Sequence, residues 1–232
     1  MDDRTMAIVS IVLLFLMFVT TFLLYFKLRP NRSFNHVRFI ARVGIFGAMA
    51  TVLYVVPGLT FQLPFFPSFL SFHFDEIPAF ICGFAYGPFS GFMVIVIKTL
   101  IKLPMTSTAT VGEFGDLILS TMYVVPCAFI YKKIRNLKGV AIGFGISTVI
   151  QIVAAMVLNV YALIPLYQVI GLPLEMILGA IQAANPAVHD AGWGYALMVV
   201  APFNAMKDAI VIVVTFLVYR SIHKFLRFEK IG

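Results

Sequence analysis

Residues 139–165 read GVAIGFGISTVIQIVAAMVLNVYALIP and contain no charged side chain. An uninterrupted apolar run longer than about 20 residues predicts a membrane-spanning helix. The whole chain has the same character, with 61% hydrophobic and 12% charged residues among 232, whereas a soluble domain is about 45–50% apolar. The composition excludes a soluble globule, a disordered chain and a coiled coil, and predicts an all-α integral membrane protein.

Further apolar segments lie on both sides of this stretch, which makes seven predicted membrane segments in total. The run at 7–26 is too long for the apolar core of a signal peptide and no cleavage site follows it, so we predict a retained helix. Residues 1–32 are accordingly predicted as an extra N-terminal transmembrane helix with a basic connection, and residues 33–232 as a six-helix membrane domain. The predicted segments are 7–26, 36–56, 75–86 (which is short), 88–103, 112–131, 139–165 and 195–219.

The basic residues predict the orientation in the lipid bilayer. Most of the 17 Lys and Arg lie at 27–42, 132–138 and 220–230, which alternate onto one side of the membrane. Cytoplasmic loops are the ones enriched in Lys and Arg. The pattern therefore predicts a multi-pass cell-membrane protein with its N-terminus outside and its C-terminus in the cytoplasm. The net charge of +7 then marks orientation, and no nucleic-acid partner is expected.

Residues 59–74, LTFQLPFFPSFLSFHF, are apolar but do not suit a regular helix. The stretch contains two prolines and six phenylalanines, and proline removes a helical hydrogen bond. Irregular backbone is not tolerated facing lipid. We therefore expect this segment to pack over protein as a lid or re-entrant loop, with its aromatic rings either packing the lid or contacting a ligand.

A few polar side chains interrupt the spans and are candidates for function, because such groups are costly in a membrane. Asn159 lies near the outer end of one span, and Asn204 and Lys207 share a face near the outer end of the last. Glu113 and Asp116 open the segment at 112–131. These groups and the lid are expected at the same depth, which predicts a mostly apolar pocket that opens to the outside.

Each of these residues also has a structural interpretation. Asn159 can join two helices by a hydrogen bond. Lys207 can extend to the membrane interface or form an ion pair with Glu113 or Asp116, and both acids also suit a solvated helix N-terminus. Lys98 is interpreted as a side chain that extends to the interface.

The chain lacks signatures of catalysis or metal binding. It has no phosphate-binding G-x-x-x-x-G-K-[ST] and no H-E-x-x-H motif. Its four histidines are scattered, and Cys82 and Cys127 lie in apolar stretches without metal-ligand spacing. We therefore predict no enzyme activity, no catalytic residues and no bound metal.

The second apolar segment carries small residues at helical spacing. Gly44 and Ala48 form a small-xxx-small pair, which lets helices approach closely. This pattern fits internal packing and a docking face for another membrane protein equally well.

Four strings in the chain carry a resemblance to a known family. They are FDEIPAFICGFAYGPFSG (74–91), VGEFGDLI (111–118), NVYALIPLY (159–167) and APFNAMKDAI (201–210). These resemble the S components of energy-coupling factor (ECF) transporters, and more narrowly the riboflavin-specific type. The resemblance extends from about residue 38 to residue 224.

The resemblance implies a six-helix substrate-binding domain whose first outer loop closes over a vitamin taken up from outside. Such proteins have no ATPase activity and work with a transmembrane T component and two ATPase subunits. No cofactor is implied, since riboflavin is the transported ligand. The alternatives are an S component for another vitamin or a flavin-related compound and, from a different class, a membrane-embedded enzyme or a non-transport membrane partner subunit.

The resemblance also implies roles for residues. It implies that Asn159, Asn204 and Lys207 hold riboflavin. The chemistry of these side chains fits, since carboxamides both donate to and accept from a uracil-like edge and a lysine donates to carbonyl or hydroxyl oxygens. The resemblance makes Gly44 and Ala48 the nearest match to an Ala-x-x-x-Ala motif that docks on the T component. The remaining candidates for substrate binding are Glu113, Asp75, Phe61 and Tyr161.

Overall fold

The computed structural model describes residues 36–106 and 108–228, with side chains to residue 221. Within residues 1–35 it describes eight scattered positions, all helical and mostly exposed. The predicted extra helix at 7–26, and with it the boundary between 1–32 and 33–232, lies largely outside the described residues. The helices are α1 (His36–Val55), α2 (Glu76–Tyr86), α3 (Pro88–Lys102), α4 (Val111–Lys133), α5 (Leu137–Leu158), α6 (Ile164–Val169), α7 (Leu174–Ala184), α8 (Trp193–Tyr195) and α9 (Ala201–Phe228).

The described part of the chain is all-helical, with five helical stretches long and apolar enough to cross a membrane. This confirms the predicted fold class of an all-α membrane protein. The short segment predicted at 75–86 is α2, an 11-residue helix with most of its side chains buried. The five stretches are His36–Val55, Pro88–Met105, Val111–Lys133, Leu137–Val169 and Trp193–Ser221.

Helices α2 and α3 form a tight pair at the centre of the fold. Gly87 joins them with a φ of 102°, a conformation that glycine adopts without steric cost, and Pro88 begins α3 because its fixed φ suits the first helical turn. A Cβ atom at Gly91 would lie 2.9 Å from the carbonyl oxygen of Ala79. Glycine at this position therefore allows the two backbones to approach.

The core beneath this pair is aromatic. The ring of Phe80 lies 4.7 Å from that of Tyr123 and 4.9 Å from that of Phe144, in edge-to-face contacts. The hydroxyls of Tyr131 and Tyr219 are 2.7 Å apart and buried, which joins α4 to α9. Buried phenols need such partners, and each hydroxyl here finds one in the other.

Two long helical runs each contain one π-helical segment. These are Asn159–Leu163, between α5 and α6, and Ala196–Val200, between α8 and α9. The two segments contact each other. Wide π turns are often found at functional sites, and here they lie where two candidate asparagines are positioned.

The segment predicted as a lid is irregular and packs over protein, as expected. Its two ends are joined by paired backbone hydrogen bonds between Phe61 and Phe72, of 2.8 and 3.1 Å. The ring of Phe72 is fully buried and lies edge-on to Phe203 of α9, with 4.7 Å between centroids. These residues, 59–74, form the lid.

Candidate functional site

A cavity of about 580 Å³ lies beneath the lid. Polar side chains from the lid, α1, α4 and the first π-helical segment line it, together with aromatic and aliphatic groups. The lining residues are Tyr54, Thr60, Gln62, Ser68, Phe69, Ser71, His73, Lys102, Thr108, Gly112, Glu113, Asp116, Asn159, Ile164, Tyr167, Leu172, Met176, Ile177, Ala180 and Tyr195.

Glu113 lies in the wall of this cavity, with 4% of its surface exposed. The loop before α4 holds its carboxylate, since Thr106 Oγ1 donates to Oε2 at 2.8 Å and Thr108 Oγ1 lies 3.4 Å away. Thr106 Oγ1 in turn accepts from the backbone N–H of Thr108 and Thr110. The loop therefore orients the carboxylate, which is not a freely solvated charge.

Asn159 begins one π-helical segment, and Asn204 lies four residues after the end of the other. Asn159 Nδ2 donates to the carbonyl of Ala155 at 2.9 Å, and Asn204 Nδ2 donates to the carbonyl of Val200 at 2.8 Å. Asn159 lines the cavity, whereas Asn204 and Lys207 are not among its lining residues. The oxygen of Asn204 accepts from Gln151 Nε2 at 2.8 Å, so Gln151 sets the orientation of that amide.

Lys207 is buried and does not extend to the membrane interface. Its Nζ atom donates to Glu76 Oε1 at 2.6 Å and lies 3.4 Å from His73 Nδ1. Among the described residues its ion pair is with Glu76, so the pairing with Glu113 or Asp116 was the wrong structural alternative. The cause is α2, whose first residue reaches α9 once the bundle is packed.

Lys98 is fully buried, and the interpretation that it extends to the interface was wrong. Its ammonium contacts the Asp75 carboxylate, lies 2.8 Å from Asp116 Oδ2, and donates to Ser120 Oγ at 3.1 Å. A buried charge is tolerated only when it is paired and hydrogen-bonded. Asp75 therefore joins the lid end of α2 to α3 and α4, and it does not line the cavity.

His73 connects the cavity to the buried charges. It lines the cavity, its Nδ1 contacts the Asp75 carboxylate, and its ring lies 4.9 Å from that of Tyr54. Burial, and next the neighbouring Lys207 ammonium, lower the pKa of His73 to about 3. The imidazole is therefore neutral at physiological pH and serves as a hydrogen-bonding group.

Three carboxylates and this imidazole place potential ligand atoms within 4.8 Å of one another. The ammonium groups of Lys98 and Lys207 lie in the same cluster. These two side chains supply the positive charge that a bound cation would otherwise provide. The four residues are His73, Asp75, Glu76 and Asp116.

The two aromatic candidates lie outside the cavity lining. Phe61 is 41% exposed and stacks on Phe72 in the lid, with 5.3 Å between centroids. Tyr161 is 66% exposed and lies edge-on to Trp193 at 6.1 Å. The structure thus brings Glu113 into the cavity with Asn159, and leaves both rings at the periphery.

The family model described as "ECF transporter, substrate-specific component" matches residues 38–219. The chain belongs to this family. It is therefore a transporter component rather than an enzyme, and a multi-pass membrane protein, as the sequence predicted.

Similar proteins agree with this assignment. The riboflavin transporter RibU of Staphylococcus aureus (strain TCH60) is 26% identical over 77% of this chain and 88% of its own length. The riboflavin transporter FmnP of Bacillus subtilis (strain 168) is 24% identical over 78% and 90%. A solved structure of the S component of a bacterial ECF transporter superposes with a TM-score of 0.64 at 24% identity, and it covers 83% of this chain and 99% of that structure. This last likeness supports the fold.

The sequence reasoning missed one wall of the S-component cavity. No membrane segment is predicted between residues 165 and 195, yet helix α7 in that connection contributes Met176, Ile177 and Ala180 to the lining. Tyr167 and Tyr195 add phenol groups nearby. The apolar residues of α7 recur at helical spacing, a pattern that indicates a helix. With 11 residues, however, α7 is too short to be recognised as a membrane-spanning segment.

The small residues of α1 divide between two faces. A Cβ atom at Gly47 would lie 2.8 Å from Ile97 of α3, whereas one at Gly44 has no atom within 4 Å. Gly44 and Ala48 are both exposed. Internal packing is therefore the role of Gly47, and the pair at 44 and 48 belongs to the outer surface of the helix.

Proposed function

We propose that this S component binds riboflavin from the outside of the cell and delivers it for ATP-driven uptake. The observation that carries the proposal is the cavity beneath the aromatic lid, which combines placed hydrogen-bonding groups with apolar walls. Its volume of about 580 Å³ falls within the range of about 300–1,000 Å³ that is usual for small-molecule sites. The relatives named as riboflavin transporters support the choice of ligand.

The proposed contacts use the chemistry of each side chain. The oxygen of Asn159, and the donor and acceptor capacity that remains on Asn204, suit the uracil-like edge of a flavin. Lys207 has three N–H donors, so its ammonium can retain the bond to Glu76 and still donate to a ligand oxygen. The rings of Tyr54 and Tyr195 can flank the isoalloxazine.

The other candidates enter the proposal in less direct ways. Glu113 is proposed to accept hydrogen bonds from ligand hydroxyls. Asp75 is proposed to act through His73, which it contacts, and Phe61 would reach the ligand by an inward movement of the lid. Tyr161 is the most exposed of the candidates and does not line the cavity, so any contact that it makes would be at the rim.

We further propose that the N-terminus lies outside and the C-terminus in the cytoplasm. The distribution of basic residues supports this orientation. A transmembrane T component and two ATPase subunits are the proposed partners, since the described residues belong to a substrate-binding unit. The exposed pair Gly44 and Ala48 on α1 is the proposed contact with the T component.

Binding by the purified protein tests the proposal. Calorimetric titration against a panel of vitamins, with flavin fluorescence quenching as a second measurement for riboflavin, should give tight binding of riboflavin alone. Asn159→Ala should weaken it, while Gln168→Ala, on the exposed side of α6, should have no effect. Tight binding of a different vitamin would reassign the ligand, and equal affinities for both variants would move the site.

A further inference from the structure

We infer that Glu113 makes this cavity select a neutral, hydroxyl-bearing ligand over the phosphate ester of the same compound. The inference rests on the proposed function, because it concerns how the proposed riboflavin site distinguishes riboflavin from flavin mononucleotide. These two compounds differ only in the phosphate at the end of the ribityl chain.

The Glu113 carboxylate presents one oxygen to the ligand. Oε2 is bound by the hydroxyls of Thr106 and Thr108, which holds the side chain in one orientation. Oε1 has no donor among the residues that the structure describes, and the residue lines the cavity. A carboxylate oxygen only accepts hydrogen bonds, so its natural partner is an O–H or N–H donor.

Among the described side chains, no lysine, arginine or histidine forms an ion pair with Glu113. Asp116 is matched by Lys98 at 2.8 Å, and His73 is neutral. Lys102 is half-buried, and its Nζ lies 5.5 Å from the centroid of the Tyr54 ring. The Glu113 wall of the cavity is therefore negative, and Lys102 is the one lysine or arginine among the described lining residues.

This arrangement treats the two flavins differently. A ribityl hydroxyl can donate to Glu113 in a charge-assisted hydrogen bond, which is stronger than a neutral one. A phosphate carries about −1.5 to −2 charges at pH 7 and has no proton to donate at most of its oxygens. In a site of low dielectric the repulsion between phosphate and carboxylate is weakly screened, so the ester is disfavoured.

The test measures the dissociation constants of riboflavin and flavin mononucleotide for the purified full-length protein. Glu113→Gln keeps the shape of the side chain and removes its charge, so the ratio of the two constants should move toward flavin mononucleotide by about tenfold or more. Glu175→Gln, on the exposed N-terminal turn of α7, is the matched control and should leave the ratio unchanged.

Two further variants probe the charge balance of the cavity without changing Glu113. Lys102→Met removes the one lysine of the described lining and should shift the ratio in the opposite direction, toward riboflavin. Thr106→Val loosens the carboxylate but keeps its charge, so discrimination against the phosphate should persist.

The outcomes separate the inference from the proposed function. If riboflavin binds tightly and the ratio is the same in the wild-type protein and Glu113→Gln, Glu113 does not select against phosphate and the inference is wrong. If the wild-type protein binds neither flavin, the proposed function is wrong and the inference is overturned with it. Should Glu113→Gln not fold, Glu113→Ala takes its place, because it also removes the carboxylate, and an unchanged ratio in that variant overturns the inference.

Discussion

Replacing Lys98 by methionine should severely destabilise this S component. Methionine keeps much of the length of the side chain but removes the ammonium that faces Asp75, Asp116 and Ser120. Two carboxylates, one fully buried and one nearly so, would lose their shared cation. Breaking a buried pair from one side costs about 3–5 kcal/mol, a large part of the stability of a typical domain.

Lys102→Met is the matched control, because Lys102 lies one helical turn away on α3 and is only half-buried. A change of this kind near the surface usually alters the free energy of unfolding by no more than about 0.5 kcal/mol. Thermal unfolding in detergent, followed by exposure of the buried thiols of Cys82 and Cys127, measures both variants on one scale.

A double variant shows whether the effect comes from charge. Asp75→Asn with Lys98→Met removes one of the two stranded carboxylates, so it should recover part of the stability lost in Lys98→Met. Asp116 remains unmatched, so recovery should be incomplete. Equal midpoints for Lys98→Met and Lys102→Met would refute the reasoning, as would a double variant that is less stable than the single one.

Three further outcomes are expected. Gln151→Leu should weaken riboflavin binding several-fold with little change in folding, because Asn204 loses the donor that orients its amide; unchanged affinity by fluorescence titration would contradict this. The pKa of His73 is about 3 in the folded protein and about 6.5 in an unfolded chain, so only the unfolded chain binds this proton in that window. Stability should therefore fall as the pH drops from about 6.5 toward 3, and His73→Gln should show a shallower fall in its thermal midpoint, whereas equal slopes would exclude the histidine as a cause. Gly44→Leu should spare binding and reduce transport in proteoliposomes with the partner subunits, while Gly47→Leu should destabilise the protein itself because its side-chain space is filled; the reverse pattern would assign the two faces of α1 the other way.

Much of the fold was predictable because hydrophobicity acts locally along a chain. The segments at 139–165 and 195–219 could be identified from their own residues, since any stretch of that length and composition favours the bilayer. The lid at 59–74 was predictable for a related reason, because its prolines oppose a helix whatever surrounds them. Glu113 and Asn159 could be identified as candidate site residues because a polar side chain in or next to a membrane span is costly and is therefore a candidate for function.

The partners of the charges were not predictable in the same way. Lys98 was misassigned because its sequence neighbours are those of an interfacial lysine, and only packing brings Asp75 and Asp116 to it. Lys207 meets Glu76 across 131 residues of chain. The cavity wall from α7 was missed because a helix of this length carries no membrane signal of its own.

The sequence by itself determined that this protein is an all-helical membrane protein and where its irregular lid lies. It also contains the four short stretches that resemble the S-component family. These properties follow from the solvation of each segment and depend little on the rest of the chain. Only the tertiary structure decided that Lys98 is a buried ion-pair partner, that His73 joins the lid to Lys207, and that Glu113 faces the cavity with one free oxygen. Such outcomes depend on which distant side chains share a low-dielectric interior, where an unpaired charge is too costly to remain and each partner is chosen by the packing of the helices.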